Sequence, residues 1–197
     1  PADDEIVLTS GKSYSNVFHA NGGSASFSVM ANTLRGVYGT DVLLATANSF
    51  TGSVLQADYN KKMAASMIMP NGLMSRQRTM TGAELKETVR AFVEGCEGGF
   101  VPFNRGSLPV VSGIAVEVKE AGGSYTLTGI TRNGQPLRDD DTVTVTCLAA
   151  ENQMEALLAS ESGTPLDGDA WVKNRWRDHV SGGGAALAEP ENYMTLR

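Results

Sequence analysis

The chain has 197 residues, 41% apolar and 19% charged, with a formal net charge of −6. That composition can bury a substantial core, and the chain need not be disordered. Acidity without a basic cluster excludes a nucleic-acid polymer as partner, though not a mononucleotide, which needs only a few local contacts.

The acidic opening Pro1–Glu5 has no signal-peptide pattern, which fits either a cytosolic protein or a processed piece of a longer one. No run of 18 or more apolar residues is present, so no membrane span is expected. Glu5–Thr9 (EIVLT) reads as a short strand. The turn Asn21-Gly22-Gly23-Ser24 then leads into a helix, because Phe27, Met30, Ala31 and Leu34 fall at i, i+3, i+4 and i+7. Ser24 suits its N-cap, although a Gly-rich helix start could also meet an anion; Gly36 and Gly39 end the helix.

Asp41–Thr46 (DVLLAT) is a nearly continuous apolar strand, the pattern of one covered on both faces. Gln56–Ser66 reads as a weaker helix stopping near Pro70, and Leu73–Met80 as a strand. Thr81 and Glu84 form a capping-box pair for a helix whose buried face is Leu85, Val89, Phe92 and Val93; Gly95, Gly98 and Gly99 close it. From Val110 the period becomes two. Ile114, Val116 and Val118 alternate with polar neighbours, Gly122-Gly123 turns the chain, and Tyr125–Thr131 returns. Asn133-Gly134 is a further turn, Thr142–Leu148 a strand, and Trp171–Val180 a helix with Val172, Trp176 and Val180 inward. A triple-Gly break and a short strand end the chain. This order predicts one α+β domain with a mixed sheet over residues 1–197.

Cys96 and Cys147 are the only cysteines, and their spacing is no metal-binding pattern. Two buried thiols are the expected state, with a disulfide the alternative. His19 and His179 are isolated, so no zinc cluster is expected, and His179 reads as a helix-end residue. Asp139–Asp141 is a turn run with too few ordered oxygens for a calcium loop. No G-x-S-x-G occurs, and no self-contained catalytic constellation is found.

Several segments carry a resemblance in order along nearly the whole chain: Asn32-Thr33-Leu34-Arg35, Thr40–Leu44 leading to Asn48, Ile68–Gly72, Met80–Val89, Pro109–Ile114, Ile130–Val145 and the closing Trp171–Arg197. Together they resemble the C-terminal domain of the 5′-nucleotidase and 2′,3′-cyclic-nucleotide phosphodiesterase family. The resemblance implies a four-layer α/β/β/α architecture with mixed sheets and a secreted, periplasmic or surface-held enzyme of nucleotide catabolism. It also implies an N-terminal metallophosphoesterase domain, absent from this chain, whose two divalent metal ions activate water. No cofactor is expected in this chain. The C-terminal domain of that family grips the nucleoside between two aromatic rings and offers arginines to the phosphate.

The carry-over is partial. Where the family has an N-x-G-G-x-R loop, this chain has Asn48-Ser49-Phe50-Thr51-Gly52-Ser53, with no arginine between Gly36 and Arg76. Charge-assisted donors hold phosphate best, so their absence counts against phosphate binding. Leu108 stands where one stacking ring is expected, and Ala150–Met154 replaces the Gly-Gly-Asp-Gly loop that carries the other. The residues expected to line a substrate pocket are Asn48, Phe50, Phe100, Phe103, Arg105 and Asn152. Phe100 and Phe103 either supply the stacking faces or pack their loop on the core, and Arg105 either meets an anion or stays solvated. Two readings follow: the substrate-recognition half of a nucleotide hydrolase, or a nucleotidase-fold module whose site has decayed into a cell-surface contact.

Overall fold

The computed structural model describes residues 4–68, 72–94, 108–150, 164–165, 171–183 and 185–197. In chain order these form β1 (Ile6–Ser10), β2 (Phe18–His19), β3 (Gly23–Ser24), α1 (Ala25–Tyr38), β4 (Val42–Thr46), β5 (Ala57–Asn60) and α2 (Lys61–Ala65). Then come β6 (Leu73–Thr81), α3 (Gly82–Glu94), β7 (Pro109–Ser112), β8 (Ala115–Ala121), β9 (Ser124–Arg132), β10 (Gln135–Pro136) and β11 (Thr142–Ala150). Last are β12 (Thr164–Pro165), α4 (Val172–Ser181) and β13 (Met194–Leu196).

A five-stranded sheet has the order β12-β6-β11-β4-β7, and a four-stranded one the order β10-β9-β8-β13. Both are mixed: β11 runs parallel to β4 and β13 parallel to β8, while the other neighbours are antiparallel. The strand expected at Asp41–Thr46 is β4, and Val42, Leu43, Leu44 and Ala45 are all fully buried, as its unbroken apolar run requires. α1 packs on β4 and β7, α3 lies against both β6 and β9, and α4 lies against α2 and β6. The mixed α+β fold is therefore the one expected.

The capping box forms as the sequence predicts. The Thr81 N–H donates to Glu84 Oε2 at 2.7 Å and the Glu84 N–H to Thr81 Oγ1 at 3.2 Å. Its glycine has a second purpose. A Cβ on Gly82 would stand 1.8 Å from the carbonyl oxygen of Arg138, because the Asp139–Asp141 turn folds directly over the start of α3. There the Gly82 N–H donates to Asp141 O at 2.7 Å. Ser24 caps α1, accepting from the Phe27 N–H, and Gly39 ends it in the left-handed region at φ 67°.

Two departures from the sequence reading have tertiary causes. Gln56–Ser66 is not one helix. Ala57–Asn60 pairs antiparallel with β1, and Asn60 then accepts from the Met63 N–H at 2.9 Å, so the helix starts only at Lys61. α1 has its expected apolar stripe, but Ser26, Ser28, Asn32 and Thr33 are buried as well. Each is satisfied by neighbouring backbone, as buried polar groups must be. Ser26 Oγ donates to Gly52 O, and Ser28 Oγ both accepts from the Glu191 N–H and donates to Glu191 O. Asn32 Nδ2 donates to Glu189 O, and Thr33 Oγ1 accepts from the Ala188 N–H. The carboxyl-terminal segment is thereby strapped along α1 before β13 joins β8.

Candidate functional site

β4 and β11 run parallel, with Val42 beside Val145 and Leu44 beside Cys147, so their carboxyl ends emerge together. β7 begins at that end, because Pro109 pairs with Thr46, and so does β6, whose Leu73 faces Ala150. In open α/β sheets ligands bind beyond such carboxyl ends. Asn48 stands here, exposed on the 3₁₀ turn Ala47–Ser49, its Oδ1 accepting from Thr46 Oγ1. The Ala47 N–H donates to Leu108 O at 2.9 Å, tying this turn to the entry of β7.

Phe50 corrects the sequence reading. After the 3₁₀ turn the backbone is extended at φ −125° and ψ 147° and bridges to Ile68. This turns the ring inward, where it is 5% exposed and stacks on Phe27 with centroids 6.1 Å apart. Its face is occupied by the core rather than offered to a ligand. Leu108 is buried too. Phe100, Phe103, Arg105 and Asn152 lie outside the described residues, as does Cys96.

The other end of the same strands holds a closed polar cluster. Asp41 precedes β4; its Oδ1 accepts from Arg132 Nη2 at 2.7 Å, and its Oδ2 from the Thr144 N–H at 2.9 Å and Thr144 Oγ1 at 3.1 Å. Arg35, in the last turn of α1, donates from Nε to Ser112 Oγ at 2.8 Å and from Nη1 to Asp41 O at 3.4 Å. Ser112 donates onward to Asn32 Oδ1. Gly113 has φ 83°, and a Cβ there would fall 2.0 Å from Asp41 O, so only glycine fits. Around these groups lies a cavity of about 350 Å³, bordered also by Asn133, Glu191 and Asn192. In the sequence Asn32, Arg35, Asp41, Ser112, Gly113 and Asn133 stand only as members of separate motifs, and nothing there shows that they meet. Their one-dimensional signal is the motifs themselves.

This arrangement can bind and buttress, but it contains no activated nucleophile. The Ser112 hydroxyl gives its proton to an amide oxygen, and neither His19 nor His179 lines the cavity. The acidic turn is also committed: Asp141 accepts from the Arg138 backbone and guanidinium, which holds its carboxyl below the usual range, and Asp139 pairs with Lys86 at 2.6 Å. Among the described residues no three His, Cys, Asp or Glu side chains gather where a metal could sit, so these side chains do not fit a two-metal centre. Burial pushes the Cys147 thiol up to about 12, and this free cysteine is correspondingly inert.

These mixed sheets, strapped helix and paired carboxyl ends constitute the fold of the C-terminal domain of 5′-nucleotidases. The solved 5′-nucleotidase precursor of Thermus thermophilus superposes with a TM-score of 0.72 at 13% identity, over 99% of this chain and 40% of its own. The NAD nucleotidase of Haemophilus influenzae gives 0.67 at 15% identity, over 100% of this chain and 39% of its own. A sulfate thiohydrolase of Thermus thermophilus, in complex with glycerol, also gives 0.67, at 12% identity, over 99% and 35%. The chain thus spans about two fifths of the length of the nucleotidases it matches. No protein-family model and no curated protein matches the sequence.

Proposed function

We propose that this chain is the substrate-recognition domain of a 5′-nucleotidase-like phosphoesterase, and that it grips a nucleoside or nucleotide without cleaving it. The observation that carries this reading is the full-length fold match to part of larger nucleotidases, combined with Asn48 exposed where β4 and β11 end together. On this reading Asn48, Phe100, Phe103, Arg105 and Asn152 face the substrate, while Phe50 supports the loop from within the core. Hydrolysis belongs to a metallophosphoesterase domain of the same parent protein, carrying two divalent metal ions. The parent works outside the cytoplasm, secreted, periplasmic or surface-held. Among the described residues no helix is long and apolar enough to cross a membrane.

A second reading, a degenerate binding or structural module at the cell surface, draws support from the burial of Phe50 and Leu108. The thiohydrolase match adds that this fold is not confined to proteins named as nucleotidases. Calorimetry with adenosine and AMP separates the two. Saturable heat that Asn48→Ala weakens supports substrate recognition; no heat from either ligand at millimolar concentration favours the decayed module. In either case the isolated chain is expected to turn over no phosphoester, with or without manganese. A rate abolished by one substitution in this chain overturns the non-catalytic role.

A further inference from the structure

We infer that the cavity at the amino end of β4 is a binding site for a small oxyanion, a carboxylate or a phosphate, with Arg35 as its anchor. It lies a strand's length from Asn48: β4 has five residues, roughly 16 Å at about 3.3 Å per residue. It is therefore separate from the proposed substrate end, and the failure of either leaves the other standing.

The cations around this cavity are not equivalent. Arg132 is neutralised by Asp41, whose two oxygens accept from Arg132 and from Thr144. Arg35 contacts only neutral acceptors, a hydroxyl and a backbone carbonyl, and no carboxylate among the described residues meets its charge. Those contacts use Nε and one Nη1 proton of a five-donor fork, leaving the rest of the fork to the cavity it lines. A half-buried charge without a counter-charge is costly, and an anion removes that cost.

The guanidinium is also pre-positioned. Ser112 holds Nε, Asn32 holds Ser112, and Glu189 O holds Asn32, so a partly buried chain of hydrogen bonds runs from the carboxyl-terminal strap to the cavity wall. A Cβ on Gly113 would stand 3.2 Å from Arg35 Cδ, so the glycine leaves room for the arginine side chain. A fixed planar fork in a polar cavity matches the two oxygens of a carboxylate or phosphate. Glu191 lines the same cavity without pairing with Arg35, and it sets the affinity low.

The test is a titration of the whole chain with inorganic phosphate and, separately, malonate, at ionic strength held constant with chloride. The Arg35 Nε–Hε resonance is followed by NMR. A saturable shift in the millimolar range is expected, and the stronger of the two titrants identifies the oxyanion class. Arg35→Gln is expected to weaken binding at least about tenfold, and Arg35→Lys to fall between. Glu191→Gln, which alters only an exposed carboxylate, is expected to tighten binding about threefold. A shift that drifts linearly with added salt, survives in R35Q, or weakens in E191Q overturns the site. Should R35Q fail to fold, R35K and E191Q still decide the matter. A loss of stability in E191Q with no anion response would identify Glu191 as the counter-charge of Arg35 and end the proposal.

Discussion

At its amino end β4 begins beside Asp41, whose two carboxylate oxygens accept from Arg132 and Thr144, and beside a glycine that nothing else can replace. At its carboxyl end the same strand releases Asn48 to solvent and folds Phe50 back into the core. The difference teaches how motifs arise. A closed polar cluster needs fixed residue types at fixed spacings, so it prints itself on the sequence. A recognition surface needs only an accessible shape and a few donors, and it leaves a fainter trace.

The largest effect that could break this comparison is at Gly113. Gly113→Ala forces a Cβ against Asp41 O in a positive-φ backbone and is expected to cost roughly 3–5 kcal/mol in denaturant unfolding. Asn48→Ala, at the open end, should stay within about 0.5 kcal/mol. Equal effects at the two ends would dissolve the contrast.

Phe50 sharpens it next. As a core ring stacked on Phe27, Phe50→Ala should cost about 3 kcal/mol or more of stability. A stable F50A protein that had lost only ligand binding would return Phe50 to the site.

The smallest effect concerns Cys147, whose buried thiol is pushed up to about 12. The folded protein keeps this proton after the unfolded chain, titrating near 9.0, has released it. The thiol's contribution is therefore complete below pH 9.0 and declines as pH rises toward about 12. Comparing denaturation midpoints of wild type and Cys147→Ala across that window should show the wild type losing more. Parallel midpoints would mean that the thiol is not desolvated.

Much of this architecture is legible in one dimension because local physics dictates it. The apolar run of β4, the period-two hairpin of β8 and β9, the Asn133-Gly134 turn with both residues at positive φ, and the Thr81–Glu84 cap each depend on neighbours in sequence. Local patterns mislead where distant segments decide. Ala57–Asn60 is a strand only because β1 lies beside it, and Ser28, Asn32 and Thr33 are buried only because residues 188–191 cross them. The candidate site divides in the same way. Asn48 stands exposed at a strand end, where the order of motifs puts it, whereas the inward turn of Phe50 requires the bridge to Ile68.

Local order along the chain specifies which segments become helices, strands and turns over most of the described residues, and which family's fold they assemble. Periodicity, caps and turn residues act over a few positions and carry that information locally. Only the tertiary structure decided that Arg35, Asp41 and Arg132 line one cavity, with Ser112 and Asn32 hydrogen-bonded behind Arg35. Hydrogen bonds spanning scores of residues, such as Arg132 to Asp41, exist only once the two sheets have closed on each other.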